Sequence, residues 1–171
     1  MNTGICILAG GLSTRMGRDK GRMRLGKRTL LGHVRRLALS AGLDVRVIRR
    51  DIVPRCGPLG GVYTGLKTSA RDSEVFLSCD MPFVKLALVR RLIRARPPTF
   101  VEGGFPFMLS AADVQVVEAE IRNGRFSLQN LAQRLKAKRL RVSGREAHQL
   151  LNLNTPADWR EARRRLPELP L

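Results

Sequence analysis

The sequence has few of the residues that build disulfides or transition-metal centres. It contains three cysteines and two histidines in 171 residues. Cys6, Cys56 and Cys79 are too far apart for a CxxC pattern, and two histidines cannot complete a transition-metal site. Cys6 and Cys79 stand inside apolar runs, where a thiol behaves as a small buried hydrophobic group. We therefore expect a reduced, cytoplasmic protein.

Long apolar runs, acidic residues and aromatic residues are also scarce. No apolar stretch approaches the roughly 18 residues of a membrane span, and the first residues lack a signal-peptide pattern, so we expect no membrane partner. Only 14 acidic residues face 32 Lys and Arg, which gives a net charge of +18 and a surface that attracts polyanions. Nucleic acid is one candidate partner, but only eight aromatic side chains are available for base stacking. Phosphorylated small molecules account for the charge equally well.

What is present suits one α/β domain over residues 1–171, with 43% hydrophobic content. Short apolar runs alternate with loops and with helical periodicity. Strands are predicted at 5–8, 43–48 and 74–79, and helices at 29–41, 62–68 and 85–96. This alternation predicts a mostly parallel sheet covered by helices on its faces.

The pattern loosens after Pro98. Residues 99–109 predict a hairpin at the sheet edge, where Pro106 would be tolerated. Further elements are predicted as helices at 112–122, 127–136 and 156–166 and a strand at 138–143. Thr155 and Pro156 supply the N-cap and the first position of the last helix.

Residues 5–20, ICILAGGLSTRMGRDK, are the pattern around which the chain is organised. The apolar run ends at Gly10 and Gly11, and glycines let backbone N–H groups approach a ligand because no Cβ intervenes. Cationic side chains follow at Arg15, Arg18 and Lys20. Backbone donors and fixed cations together suit a polyphosphate. The alternative is an ordinary turn followed by solvated basic residues, since the pattern is neither GxxxxGK[ST] nor GxGxxG.

A second candidate is Asp80, which directly follows the predicted strand at 74–79. Ligands of open α/β sheets bind at the carboxyl ends of the strands. Mg²⁺ commonly takes one or two protein carboxylates and fills its other positions with water and substrate phosphates. Asp80 is therefore the candidate metal ligand. The alternative is an N-cap role for the helix predicted to begin near Lys85.

Four segments are similar in sequence to motifs of one enzyme family. They are LAGGLSTRMGRDKG at 8–21, GPLGG at 57–61, FLSCDMPFV at 76–84 and NLNTP at 152–156. Together they resemble the molybdenum cofactor guanylyltransferases, which are MobA-like nucleotidyltransferases. In that family the first segment is the signature loop and the third is the metal-binding strand end. The second resembles the loop that encloses guanine through main-chain groups, and the fourth a turn beside the active site.

The resemblance implies a Rossmann-like, three-layer nucleotidyltransferase fold of the GT-A-like kind. It implies transfer of GMP from GTP to the terminal phosphate of the molybdenum-pterin cofactor (molybdopterin), with Mg²⁺ as cofactor and pyrophosphate as product. The implied catalytic residues are Arg15, Lys20 and Asp80, and Asp80 holds the metal. The implied nucleotide-binding residues are Leu8, Ala9, Gly10, Gly11, Lys20, Asp51, Gly57, Pro58, Leu59, Gly60 and Asp80. Asn152 and Asn154 are expected on the second-substrate side.

The implied partners are GTP and molybdopterin, together with contacts to molybdoenzymes or to cofactor-biosynthesis proteins. Nucleic acid and membranes are not expected. Two kinds of alternative stay open. One is a cytidylyltransferase or a sugar-phosphate nucleotidyltransferase on the same scaffold. The other is a basic nucleic-acid-binding domain that keeps the fold without the chemistry.

Overall fold

The sheet organises the fold. A computed structural model describes residues 2–10, 20–102 and 104–170. Within them, one sheet has six strands in the order β4-β1-β5-β7-β6-β8, and β2 and β3 form a separate two-stranded ribbon. The strands are β1 Thr3–Leu8, β2 Arg24–Leu25, β3 Arg28–Thr29, β4 Val45–Ile48, β5 Ser73–Ser78, β6 Thr99–Val101, β7 Gly104–Ser110 and β8 Lys138–Leu140. Since β7 alone in the six-stranded sheet runs against the others, the predicted mostly parallel sheet is confirmed.

Helices cover both faces of the sheet. They are α1 Leu30–Ser40, α2 Pro58–Lys67, α3 Leu86–Ala95, α4 Val114–Arg122, α5 Leu128–Arg134 and α6 Pro156–Arg164. On β1, Ile5 and Ile7 pack with α1 and α3, whereas Cys6 and Leu8 pack with α2 on the other face. A strand buried on both faces needs apolar side chains at every position, which explains the continuous apolar run of β1. The result is the expected three-layer α/β architecture.

The predicted hairpin at 99–109 exists, but its predicted place at the sheet edge is wrong. β7 lies inside the sheet between β5 and β6, and β8 is an edge strand. Pro106 is tolerated there because β5 pairs with β7 only as far as Phe107. On the other side the register with β6 shifts between Phe100 and Val101. Pro106 thus sits in an irregular stretch where a missing N–H breaks no regular ladder.

The prediction of a loop at 57–61 is wrong, because α2 already begins at Pro58 rather than near 62. A proline at the first helical position loses no hydrogen bond, since that N–H has no partner within the helix. Gly57 precedes it with φ of 55° and ψ of −143°, a backbone conformation that favours glycine. The structure therefore places the first turn of a helix at this segment.

The C-terminal part of the sheet is less regular than predicted. The strand predicted at 138–143 is shorter, since β8 ends at Leu140, and a 3-10 helix follows at Gly144–Leu150.

Glu120 of α4 is only 1% exposed, and its carboxylate accepts hydrogen bonds of 2.9 and 2.7 Å from Arg125. The hydrogen bond from Arg125 holds the pKa of Glu120 below its ordinary value. Among the helices of the described residues, none is long and apolar enough to cross a membrane.

Candidate active site

A cleft lies at the carboxyl ends of the three neighbouring strands β4, β1 and β5. Leu8, Ile48 and Ser78, the last residues of these strands, all line it. The sheet pairing continues a step beyond the strands, because Ala9 N donates to Ile48 O at 2.9 Å and Cys79 N donates to Leu8 O at 3.1 Å. These bonds fix the positions from which the following residues reach the cleft. Such a strand-end crevice is where open α/β sheets bind ligands.

Gly10 lines the cleft next to the residue that follows β4. A Cβ built on Gly10 would lie 2.6 Å from Arg49 O and 2.9 Å from Arg49 C. Both are backbone atoms, so no side-chain rotation could relieve the overlap. The glycine predicted as a phosphate-loop residue is therefore also required by the close approach of two chain segments.

Asp80 follows β5 and projects its carboxylate into the cleft, with its side chain 14% exposed. Ser78 Oγ donates to Asp80 Oδ1 at 2.5 Å, and Leu153 N donates to Asp80 O at 3.0 Å. The residue is thus oriented through both its side chain and its backbone. The alternative role as a helix cap is wrong, because Lys85 is the N-cap of α3.

Lys20, the last residue of the pattern at 5–20, reaches the same cleft. Its ammonium nitrogen lies 3.8 Å from Asp80 Oδ2 and donates a hydrogen bond to Asn154 Oδ1. The Lys20 side chain is 20% exposed. A cation and a carboxylate on separate segments are therefore brought to one point at the strand ends.

The segment that carries Asn154 is held by a helix cap. Thr155 Oγ1 accepts from Asp158 N at 3.2 Å, and Asp158 Oδ2 accepts from Thr155 N at 2.6 Å and from Asn154 N at 3.0 Å. The hydrogen bonds from Thr155 lower the pKa of Asp158, and the charge of Lys20 adds to the effect. Asn152 is exposed, and its carbonyl accepts from Asn154 N at 3.0 Å. Only Asn154 of the two asparagines is thus placed against the cleft residues by a side-chain hydrogen bond among the described contacts.

Asp51 lies on the α2 side of the cleft. A Cβ on Gly60 would lie 2.7 Å from Asp51 Oδ2 and 2.9 Å from Val53 O, so the first turn of α2 packs directly on this segment. Ile52 N donates to Thr64 Oγ1 at 2.9 Å and ties the same segment to the helix. Burial raises the pKa of Asp51 above its ordinary value.

The family model described as MobA-like NTP transferase domain matches residues 5–51 and 36–102, which is more than half of the chain. The chain belongs to the MobA-like NTP transferase family. The matched residues include β1 from Ile5 onward, together with Gly10, Lys20, Asp51 and Asp80.

Relatives support the same assignment. The chain is 31% identical to a molybdenum cofactor guanylyltransferase of Xanthomonas euvesicatoria over 92% of both chains. It superposes with a TM-score of 0.75 on molybdopterin-guanine dinucleotide biosynthesis protein A of Archaeoglobus fulgidus, at 19% identity over 97% of this chain and 100% of that one. A 2-C-methyl-D-erythritol 4-phosphate cytidylyltransferase of Thermus thermophilus has a TM-score of 0.69 at 17% identity, over 96% and 98% of the two chains. The two structural likenesses establish the nucleotidyltransferase fold.

The site of this MobA-like chain contains most of the residues singled out from the sequence. The cleft is lined by Leu8, Gly10, Lys20, Asp51, Gly57, Pro58 and Asp80. Two others lie just behind it, since Leu59 is fully buried in the core and Gly60 contacts Asp51. Gly11 and Arg15, with Ser13, Thr14 and Arg18, lie outside the described residues. Their predicted roles stay predictions.

Ser78 and Asp158 are polar residues that support the site and were not singled out from the sequence. Ser78 orients the Asp80 carboxylate, and its position two residues earlier on the same strand end is a usable signal. Asp158 binds the Asn154 backbone. The Thr-x-x-Asp spacing of residues 155–158 signals a helix cap, but only the tertiary structure shows what the cap supports.

The donor set of the cleft fits Mg²⁺ bound mainly by its substrate. In the part of the chain that the structure describes, no group of three or more His, Cys, Asp or Glu side chains could hold a metal ion. Asp80 offers one oriented carboxylate facing the cleft. One carboxylate suffices when phosphates and water supply the other ligands, as is common for Mg²⁺.

Proposed function

We propose that this protein transfers GMP from GTP to the terminal phosphate of molybdopterin and releases pyrophosphate. The observation that carries the proposal is the meeting of the Lys20 ammonium and the Asp80 carboxylate at the strand ends of a MobA-like chain. The extent of the similarity to the named guanylyltransferase supports it, since the alignment covers 92% of both chains. The basic character of the chain suits two substrates that both carry phosphate.

In the proposed reaction, a terminal phosphate oxygen of molybdopterin attacks the α-phosphorus of GTP. A new P–O bond forms as the bond to the bridging oxygen of pyrophosphate breaks, and the electron pair leaves with pyrophosphate. A phosphate monoester dianion is already a nucleophile, so the protein need not supply a general base. Its work is to position two anions and to offset the charge that grows on the leaving group.

Lys20 is the described residue best placed to offset that charge. Its ammonium is held by Asn154 and Asp80, so it is oriented before substrate arrives. A preorganised cation in a partly enclosed cleft interacts with developing charge more strongly than a solvated one, because water need not reorganise.

Asp80 is the residue that would hold Mg²⁺, with Ser78 fixing the direction of its carboxylate. The bound ion would supply charge neutralisation at the phosphates. The Asp80 carboxylate would bind and orient the ion, and the hydrogen bond from Leu153 N keeps the Asp80 backbone in place.

We propose that a preference for guanine arises on the α2 side of the cleft. Gly57, Pro58 and Asp51 line this side, and the packed first turn of α2 fixes them. Backbone polar groups held there can pair with the edge of one base and leave unpaired groups against another. Such a mismatch typically costs about 1–3 kcal/mol, which gives a clear preference for GTP.

Pyrophosphate release with molybdopterin as acceptor tests the proposal. GTP, CTP and ATP are compared with and without Mg²⁺, and we expect turnover with GTP and Mg²⁺. Equal use of CTP would remove the guanylyl assignment and leave a nucleotidyltransferase of broader specificity. Salt-dependent oligonucleotide binding without pyrophosphate release would favour the nucleic-acid-binding alternative.

Asp80→Asn is the matching variant, because it keeps the side-chain shape and removes the charge. We expect turnover to fall roughly 10²-fold or more, the size of effect seen when one electrostatic group of a site is lost. Asp72→Asn is the control: Asp72 precedes the same strand at its other end and accepts from Asn2 N at 2.7 Å. Normal turnover of Asp80→Asn would place the metal site elsewhere.

A further inference from the structure

We propose that Asp158 is a positioning residue of the active site, acting through Asn154 on Lys20. The cap of α6 would then orient a cation of the cleft in addition to ending a helix. This role rests on the proposed nucleotide chemistry, and it adds a residue from the far end of the chain to that site.

The first observation is an extra hydrogen bond in the helix cap. In a capping box, the side chain of the third helical residue accepts from the backbone N–H of the N-cap. Asp113 does this at the start of a 3-10 helix, accepting from Ser110 N at 2.7 Å. Asp158 makes the same bond to Thr155 N at 2.6 Å and additionally accepts from Asn154 N at 3.0 Å with the same oxygen. It therefore helps to hold the backbone of the residue before the cap, whose N–H also donates to Asn152 O at 3.0 Å.

The second observation is what that backbone presents to the cleft. Asn154 Oδ1 accepts a hydrogen bond from Lys20 Nζ across 134 residues of sequence. One residue earlier, Leu153 N donates to Asp80 O at 3.0 Å. The two consecutive residues thus hold both members of the Lys20 and Asp80 pair, whose charged atoms are 3.8 Å apart.

The third observation concerns the flexibility of the held group. A lysine side chain has four rotatable bonds and loses much freedom when its ammonium is fixed. Anchoring by Asn154 removes that freedom before substrate binds, so less is lost on binding. The charge of Lys20 contributes to the lowered pKa of Asp158, in addition to these contacts. A helix cap without these contacts would serve stability alone.

Covalent lysine labelling of the free protein, read by mass spectrometry, tests the contact without any substrate. The variants are Asp158→Ala and Asn154→Leu, and the second keeps the helix cap while removing the acceptor. We expect the labelling rate of Lys20 to rise in both, by up to about tenfold, because a hydrogen bond to a charged group is lost. Asp113→Ala is the matched control and should leave Lys20 labelling unchanged. Unchanged labelling of Lys20 in Asp158→Ala would overturn the proposal, even if Asn154→Leu raised it, because Asp158 would then not act on Lys20.

A double-mutant cycle on GTP affinity and on turnover tests the functional consequence. We expect Asp158→Ala to lower kcat/KM about tenfold in the wild-type background and much less in the Lys20→Ala background, because groups that act as one unit are not additive. A loss of equal size in both backgrounds would show a structural effect and would overturn the positioning role. Absence of GTP binding and turnover in the wild type would instead overturn the proposed function, and the labelling result would still decide the contact.

Discussion

Gly10→Ala tests whether the close contact between the ends of β1 and β4 shapes the cleft. The new methyl carbon would lie 2.6 Å from Arg49 O, whereas ordinary Cβ contacts begin near 3.4 Å. Relief requires the two chain segments to separate by about 1 Å, since both partners are backbone and van der Waals repulsion is steep. That movement strains the 2.9 Å hydrogen bond from Ala9 N to Ile48 O.

Two effects follow from this separation. Overpacking of a tight site typically costs about 1–3 kcal/mol of unfolding free energy. The cleft is also altered, because Gly10 lines it together with Lys20 and Asp80. A misplacement of about 1 Å can lower turnover roughly 10²-fold, so we expect a catalytic loss of that order with a modest loss of stability.

Urea unfolding and pyrophosphate release are measured on the same preparations of Gly10→Ala and of Gly144→Ala. Gly144 is the control, because a Cβ there meets no atom within 4 Å and the residue does not line the cleft. If Gly10→Ala matched Gly144→Ala in both unfolding free energy and turnover, the steric argument would be refuted.

Changes at Lys20, Glu120 and Cys6 each have a measurable expected effect. Lys20→Ala should lower kcat roughly 10²–10³-fold with little change in unfolding free energy. Arg164→Ala changes an exposed side chain and should leave kcat unaltered. Equal kcat values for the two variants would exclude Lys20 from catalysis. Glu120→Gln should cost about 1–2 kcal/mol of unfolding free energy at neutral pH, whereas Glu118→Gln on the exposed face should cost at most ~0.5 kcal/mol. Because folding lowers the pKa of Glu120, the stabilisation by its carboxylate is present above the ordinary pKa of 4.5 and is lost as pH falls through the folded-state pKa. The difference in unfolding free energy between wild type and Glu120→Gln should therefore shrink below pH 4.5 in acid unfolding curves. Burial raises the pKa of the Cys6 thiol to about 12, so iodoacetamide at pH 8 should alkylate Cys6 only in denaturant, and rapid alkylation of native protein would contradict its burial.

Several elements could be predicted from the sequence because their signals are local. The apolar run of β1, the helical spacing of α1 and the cap at Thr155 each depend on residues within one element. The position of Asp80 at a strand end follows from the apolar run before it. The resemblance of the segment at 8–21 to a known family then connected these elements with a nucleotide site.

Other features depend on which distant segments meet, and only the tertiary structure decided them. The insertion of β7 between β5 and β6, and hence the tolerance of Pro106 inside a sheet, depends on strand order. The need for glycine at position 10 comes from the Arg49 backbone, and the orientation of Lys20 comes from Asn154. Periodicity and caps depend on residues within one element and can be read from the sequence. The contacts above join different elements, and their proximity is set by the packing of the whole sheet and its helices.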